Sequence, residues 1–213
     1  MLFMYRTSLL MLVLLVSVSL SAQKTKAMKH VFYLHGMIIE VQGVNAVSDV
    51  FGPYKYEDII DALKETGYQV HSEVRTTKTN FNAFCEKVSQ QINQLIKDGV
   101  APNDISVIGA SKGAIMAMQI SDITKQPINY ILLGANSDRT EKNFDWKLHG
   151  RILGIYEQSD TVAGKDYSYW IERSSEAKEF QQLKINTGLG HGFLYRPIKE
   201  WLGPAKDWIA HKK

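Results

Sequence analysis

From His30 onward, short apolar runs alternate with longer segments of helical period, and this alternation constrains the fold more than any other feature. Six runs read as strands: 30–34, 68–75, 105–110, 130–135, 151–156 and 180–186. Helices are predicted over 56–66, 80–98, 112–123 and 197–211, the last containing Pro204. The clearest is 80–98, where Phe81, Phe84, Val88, Ile92 and Leu95 recur at three- and four-residue steps. Gly99 follows it and Pro102 lies beyond. Strands separated by helices return in the same direction, so the expected fold is α/β: a doubly wound, mostly parallel six-stranded sheet with helices on both faces. With the second strand on one side of the first and the third on the other, the order is 2-1-3-4-5-6. Ligands of such sheets bind at the carboxyl ends of the strands beside the switch point. Those ends are His35-Gly36-Met37 and Gly109-Ala110-Ser111.

Residues 1–22 stand apart. Arg6 precedes an almost wholly apolar run from Ser8 to Leu20, and small residues around Ser21-Ala22 close it. This is the layout of a secretory signal peptide, with cleavage expected after Ser21 or Ala22. The run is shorter than the ~20 residues a comfortable membrane span needs. The expectation is an exported, periplasmic or secreted, single domain over 23–213. The alternative is an uncleaved N-terminal anchor.

The formal charge of the 213-residue chain is +3, and losing 1–22 removes one arginine and no acid. A balance so slight and dispersed argues against nucleic acid as a partner. The chain has one cysteine, Cys85, so an internal disulfide is impossible and the fold must rest on its core. Cys85 falls on the apolar stripe of 80–98 and reads as a packing residue. No His, Cys or acid cluster has metal-ligand spacing, and no dinucleotide or phosphate-loop pattern follows the first strand, so no metal or cofactor is expected.

Gly109-Ala110-Ser111-Lys112-Gly113 matches G-x-S-x-G. Alone the pattern is weak. Its context, a buried strand leading in and a helix leading out, is what a nucleophile elbow requires. The chain here resembles the α/β-hydrolase superfamily, from His30 to the terminal helix. The resemblance implies a nucleophile, then an acid after a later strand, then a histidine. Ser111, Asp160 and His191 stand in that order. Asp160 follows the strand 151–156 by a few residues. Glu157 is its rival, so close to the strand that its side chain is expected to point into the sheet. His191 lies between Gly190 and Gly192, just after the last strand, and is the only one of the six histidines with both the right order and a loop context. His35-Gly36 resembles the superfamily's oxyanion loop. The implied donors are the backbone N–H groups of Met37 and Lys112, so the identity of those two side chains is expected to matter little. His35 itself reads as a hydrogen-bonded structural residue.

These residues point to acyl transfer on a carboxylic ester with a small-molecule acyl substrate and no cofactor. A peptidase or amidase on the same site is the nearest alternative. A binding protein on a hydrolase scaffold is disfavoured because nucleophile, acid and histidine are all present. Only residues 136–150 join the fourth and fifth strands, too few for a large lid, so an open cleft is expected. Phe51, Tyr54 and Tyr56 either line that cleft or pack their loop onto the sheet. Glu40, Glu73 and Arg75 lie near strand ends without an assigned role. Oligomeric state stays open.

Overall fold

The computed structural model describes residues 27–211, so the apolar leader and its expected cleavage point lie outside the described residues. The chain runs β1 (His30–Leu34), α1 (Met37–Gln42), β2 (Val47–Ser48), β3 (Gly52–Pro53), α2 (Tyr56–Lys64), β4 (Gln69–His71), α3 (Phe81–Lys97) and β5 (Ile105–Ala110). It continues α4 (Lys112–Thr124), β6 (Asn129–Leu133), α5 (Asp138–Asn143), β7 (Gly150–Glu157), α6 (Ser168–Arg173), β8 (Ala177–Ile185) and α7 (Lys199–Ile209). Six strands form one sheet in the order β4-β1-β5-β6-β7-β8, and β2 pairs with β3 in a separate two-residue hairpin. Every pairing in the large sheet is parallel. The fold class is the one the alternating pattern implies, and the order is the one expected with the second strand on one side of the first and the third on the other.

Successive side chains of a strand point to opposite faces, and this sorts the core into two layers. Val31, Tyr33, Ile108, Ile131, Leu133 and Ile155 pack with Ile59 and Leu63 of α2 and with Trp201, Leu202 and Trp208 of α7. Phe32, Leu34, Val107, Leu132 and Ile152 pack with Phe84, Val88 and Ile92 of α3, with Met116, Ala117 and Ile120 of α4, and with Trp170. Each fully buried aliphatic or aromatic side chain contributes roughly 1.5–3 kcal/mol. Two covered faces explain why β5 is buried along its whole length and is apolar but for Ser106. Asn80 caps α3, its side chain accepting from the Ala83 N–H at 3.0 Å. Cys85 lies in the second layer, and burial pushes its thiol up to about 12, leaving it un-ionised.

The structure departs from the sequence reading at the sheet edge. The strand expected over 68–75 ends at His71. Beyond it the Ser72 hydroxyl donates to the Tyr33 carbonyl (2.9 Å) and the Arg75 N–H donates to His35 Nε2 (2.8 Å). An edge strand has one ladder only, and here side-chain partners replace it and draw the chain across the end of β1. The helices α1, α5 and α6 have six residues each, and fewer than two turns carry no readable period in the sequence.

Gly154 marks the tightest packing in β7. A Cβ there would lie 2.4 Å from the Tyr167 ring, and Tyr167 is pinned by its hydroxyl, which donates to Leu132 O (3.0 Å) and accepts from Ala135 N (3.1 Å). Gly154→Ala is expected to cost about 1–3 kcal/mol, read as a lower urea midpoint. Gly203→Ala, on α7 where a Cβ meets nothing within 4 Å, should hold or raise the midpoint. Equal midpoints for Gly154→Ala and wild type would refute this account of the packing.

Candidate active site

Ser111 stands between β5 and α4 with φ 52° and ψ −118°. Positive φ in a non-glycine residue is a strained conformation, costing of order 1–3 kcal/mol. The surrounding contacts hold it. The Ser111 N–H donates to Leu133 O (2.9 Å), fastening the turn to β6. A Cβ at Gly113 would lie 1.9 Å from the Leu34 carbonyl oxygen, and one at Gly109 would lie 2.4 Å from the Gly113 carbonyl. Both contacts are with backbone and cannot yield, so the turn admits glycine alone at these two positions.

The loop after β8 carries His191 to this turn. Its Nε2 lies 2.9 Å from Ser111 Oγ and its Nδ1 lies 2.7 Å from Asp160 Oδ2. In the tautomer that satisfies both bonds, Nδ1–H donates to the carboxylate and Nε2 accepts from the serine hydroxyl. Asp160 is buried, and its other oxygen accepts from the N–H groups of Val162 (2.8 Å) and Ala163 (3.1 Å). Burial alone would raise its pKa. The bond to His191, the attraction of that ring and the two N–H donors outweigh burial and hold the carboxyl below its usual range.

Glu157, the rival acid, does not reach His191. Its Oε2 accepts from the Ser159 N–H and hydroxyl (both 2.6 Å), and its Oε1 accepts from the N–H groups of Thr187 (2.8 Å) and Gly188 (3.2 Å). Burial raises its pKa, and these four donors more than reverse the effect. Glu157 ties the end of β7 to the loop that carries His191. Ser159 Oγ adds a bond accepted from the Gly190 N–H at 3.1 Å.

Met37 and Lys112 are each the first residue of a helix, and neither helix start has a side-chain cap. The N–H of a first helical residue has no acceptor within its own helix. The two helix starts meet at Ser111: a Cβ on Gly36 would lie 3.7 Å from Ser111 Cβ. Each helix start carries the positive end of its backbone dipole, and the two starts meet at Ser111. The Met37 side chain is exposed, whereas the Lys112 side chain turns back to the Glu40 carboxylate.

Sequence reasoning missed what lies beneath. Arg75 is fully buried; its Nε donates to Glu40 Oε1 (2.9 Å), its Nη2 to the His35 carbonyl, and its guanidinium lies 5.2 Å from the centre of the Phe84 ring. His35 accepts from the Arg75 N–H at Nε2 and donates from Nδ1 to Gly36 O (2.9 Å), which fixes a neutral ring. The available signal was a lone acid, Glu40, inside the apolar run Met37-Ile38-Ile39-Glu40-Val41.

Two lobes of one cleft flank Ser111. The first, about 340 Å³, is lined by Ile38, Val41, Phe51, Tyr54, His191 and Leu194 among others. The second, about 420 Å³, takes in Lys112, Ile115, Ser137, Arg139, Asn143 and Phe144. Met37, Ser111 and Val162 border both. Phe51 and Tyr54 line the cleft, whereas Tyr56 sits behind it, its hydroxyl 2.7 Å from Ser72 Oγ.

No family model matches the chain, and no curated protein matches it. Solved structures do. Arabidopsis thaliana SOBER1 aligns over 87% of this chain and 99% of its own, with TM-score 0.54 and 13% identity. A CIB-like hydrolase from Thermoplasma acidophilum aligns over 86% of each chain (TM-score 0.56, 14% identity). The Pyrococcus furiosus esterase Pf2001 aligns over 87% of this chain and 81% of its own (TM-score 0.57, 15% identity). The chain has the α/β-hydrolase fold. At these identities the likeness is one of architecture. In this α/β-hydrolase fold the strand ends and helix starts, not shared sequence, bring Ser111, His191 and Asp160 together.

His35 gives the site a pH signature. Burial and the neighbouring Arg75 charge lower its pKa from 6.5 to about 4. Between those values the unfolded chain binds a proton that the folded chain refuses. Stability is therefore full above pH 6.5, falls as pH drops through the window, and has lost this contribution by about pH 4. The loss is of order 3 kcal/mol for such a shift. Urea midpoints at pH 7 and pH 4.5 should converge in His35→Gln relative to wild type, since the remaining titrating groups are common to both proteins. The same pH slope in both would show that His35 is not the group responsible.

Proposed function

We propose that this protein is a serine hydrolase that cleaves carboxylic esters through an acyl-enzyme, with Ser111 as nucleophile, His191 as general base and acid, and Asp160 as the partner that orients His191. The observation that carries the reading is the unbroken relay of Ser111 Oγ, His191 Nε2 and Nδ1, and Asp160 Oδ2 at 2.9 and 2.7 Å, opening on the cleft.

The chemistry follows from the geometry. As Ser111 Oγ bonds to the ester carbonyl carbon, its proton passes to His191 Nε2, and the carbonyl π electrons move onto the oxygen. That oxygen is met by the N–H groups of Met37 and Lys112, each such donor being worth ~3 kcal/mol in comparable sites. The pair returns, the C–O bond to the alcohol breaks, and His191 hands its proton to the departing oxygen. Water then repeats the sequence on the acyl-enzyme, with His191 as base, and releases the acid. Asp160 stays ionised throughout and stabilises the imidazolium. The solved structures similar in architecture include proteins named as esterases, which favours ester over amide substrates. The apolar walls of the first lobe suit a small aliphatic or aryl group, and the leader-like pattern of 1–22 supports an exported enzyme.

A fluorophosphonate probe is expected to add once to the wild type, by intact mass, and not at all to Ser111→Ala. Hydrolysis of 4-nitrophenyl acetate should fall by about 10⁴-fold or more in Ser111→Ala, with comparable losses in His191→Ala. A well-folded wild type that takes no adduct, or a serine variant that keeps its turnover, would overturn the reading.

A further inference from the structure

Glu40 and Arg75 are buried charges that acyl transfer as written above does not use. The Arg75 side chain is 0% exposed and that of Glu40 2%. One Glu40 oxygen accepts from Arg75 Nε at 2.9 Å, and the other pairs with Lys112 Nζ. Arg75 also holds the His35 carbonyl through Nη2, and its own N–H is fixed on the His35 ring. Buried ion pairs are weak sources of stability, because desolvation offsets most of the attraction. A buried Arg75–Glu40 pair extended by the partly exposed Lys112 ammonium therefore calls for a role in geometry.

Its endpoints indicate that role. Lys112 opens α4. Glu40 lies in the first turn of α1, which Met37 opens, and His35 and Gly36 lead into it. The ion chain thus spans the two helix starts that meet beside Ser111. We propose that the Arg75–Glu40–Lys112 chain sets the spacing of the Met37 and Lys112 N–H groups, and that Lys112 is a positioning residue for the oxyanion. This rests on the acyl-transfer reading. It reverses the expectation that the Lys112 side chain is immaterial. A donor helps the oxyanion only when it is already aimed at it, and displacements of about 1 Å in such sites cost up to 10²-fold in rate.

The test is single-turnover acylation by 4-nitrophenyl acetate, with fluorophosphonate labelling of the wild type as its control. A wild type without adduct or turnover would sink the acyl-transfer reading before any variant is made. With an active wild type, Lys112→Met is expected to slow the acylation step about 10- to 100-fold. The half-saturation concentration should stay within about twofold, because the lost interaction belongs to the transition state. Affinity for a trifluoromethyl ketone, whose adduct with Ser111 carries the oxyanion, should weaken by the same factor. Lys112→Arg should restore both. Glu40→Gln, assayed below its melting temperature, should show the same paired loss. Lys112→Met with acylation and ketone affinity within about twofold of wild type would overturn the proposal. So would Glu40→Gln with undiminished acylation, since Lys112 would then act without its anchor.

Discussion

The α4 helix begins so close to the end of β1 that a single added carbon at Gly113 would fall 1.9 Å from the Leu34 carbonyl oxygen. Much else follows from that approach. It forces the chain to reverse within one residue, which is why Ser111 has positive φ. It brings the start of α4 against the start of α1, so two uncapped helix ends share one point in space. It also leaves Ser111 Oγ on the outside of the turn, at the carboxyl edge of a parallel sheet, where the loops after β6, β7 and β8 arrive. The candidate site is thus a consequence of packing as much as of side-chain chemistry.

Two carboxylates three residues apart divide the remaining work. Glu157, at the end of β7, has all its acceptor capacity taken by four donors from two loops. It is a staple. Asp160, once the chain has turned, keeps one oxygen for backbone N–H groups and gives the other to His191. The staple makes the second arrangement reproducible, because it fixes the loop at Thr187 and Gly188, three residues before the imidazole. Both acids are held below the usual carboxylate range despite burial, each by a different set of donors.

Below the site, charge replaces apolar packing. Arg75 and Glu40 form a buried ion pair, and the partly exposed Lys112 ammonium extends it to the start of α4. Burial, together with repulsion from Arg75, keeps the His35 ring neutral. A neutral His35 can accept from the Arg75 backbone while donating to Gly36, which anchors the turn leading into α1. The same groups therefore link the starts of α1 and α4 and make the fold sensitive to acid.

The sequence determined the sheet and most of its order, because two apolar faces per strand and an amphipathic stripe per helix are local properties written in periodicity. It also located Ser111, since a tight strand-to-helix turn needs small residues at fixed offsets. The superfamily resemblance pointed to Asp160 rather than Glu157, but the two acids are alike in chemistry and three positions apart, and no local pattern in the sequence separates their surroundings. Only the direction of the chain after β7 decided that, by aiming one into a net of N–H groups and the other at His191. Nor could it find the partnership of Glu40, Arg75 and Lys112, residues 35 and 72 positions apart along the chain. Charge pairing across such separations has no period and no spacing. It exists only once α1, the peeled end of β4 and the start of α4 are packed together, because burial is what makes the Arg75 and Glu40 charges require a partner.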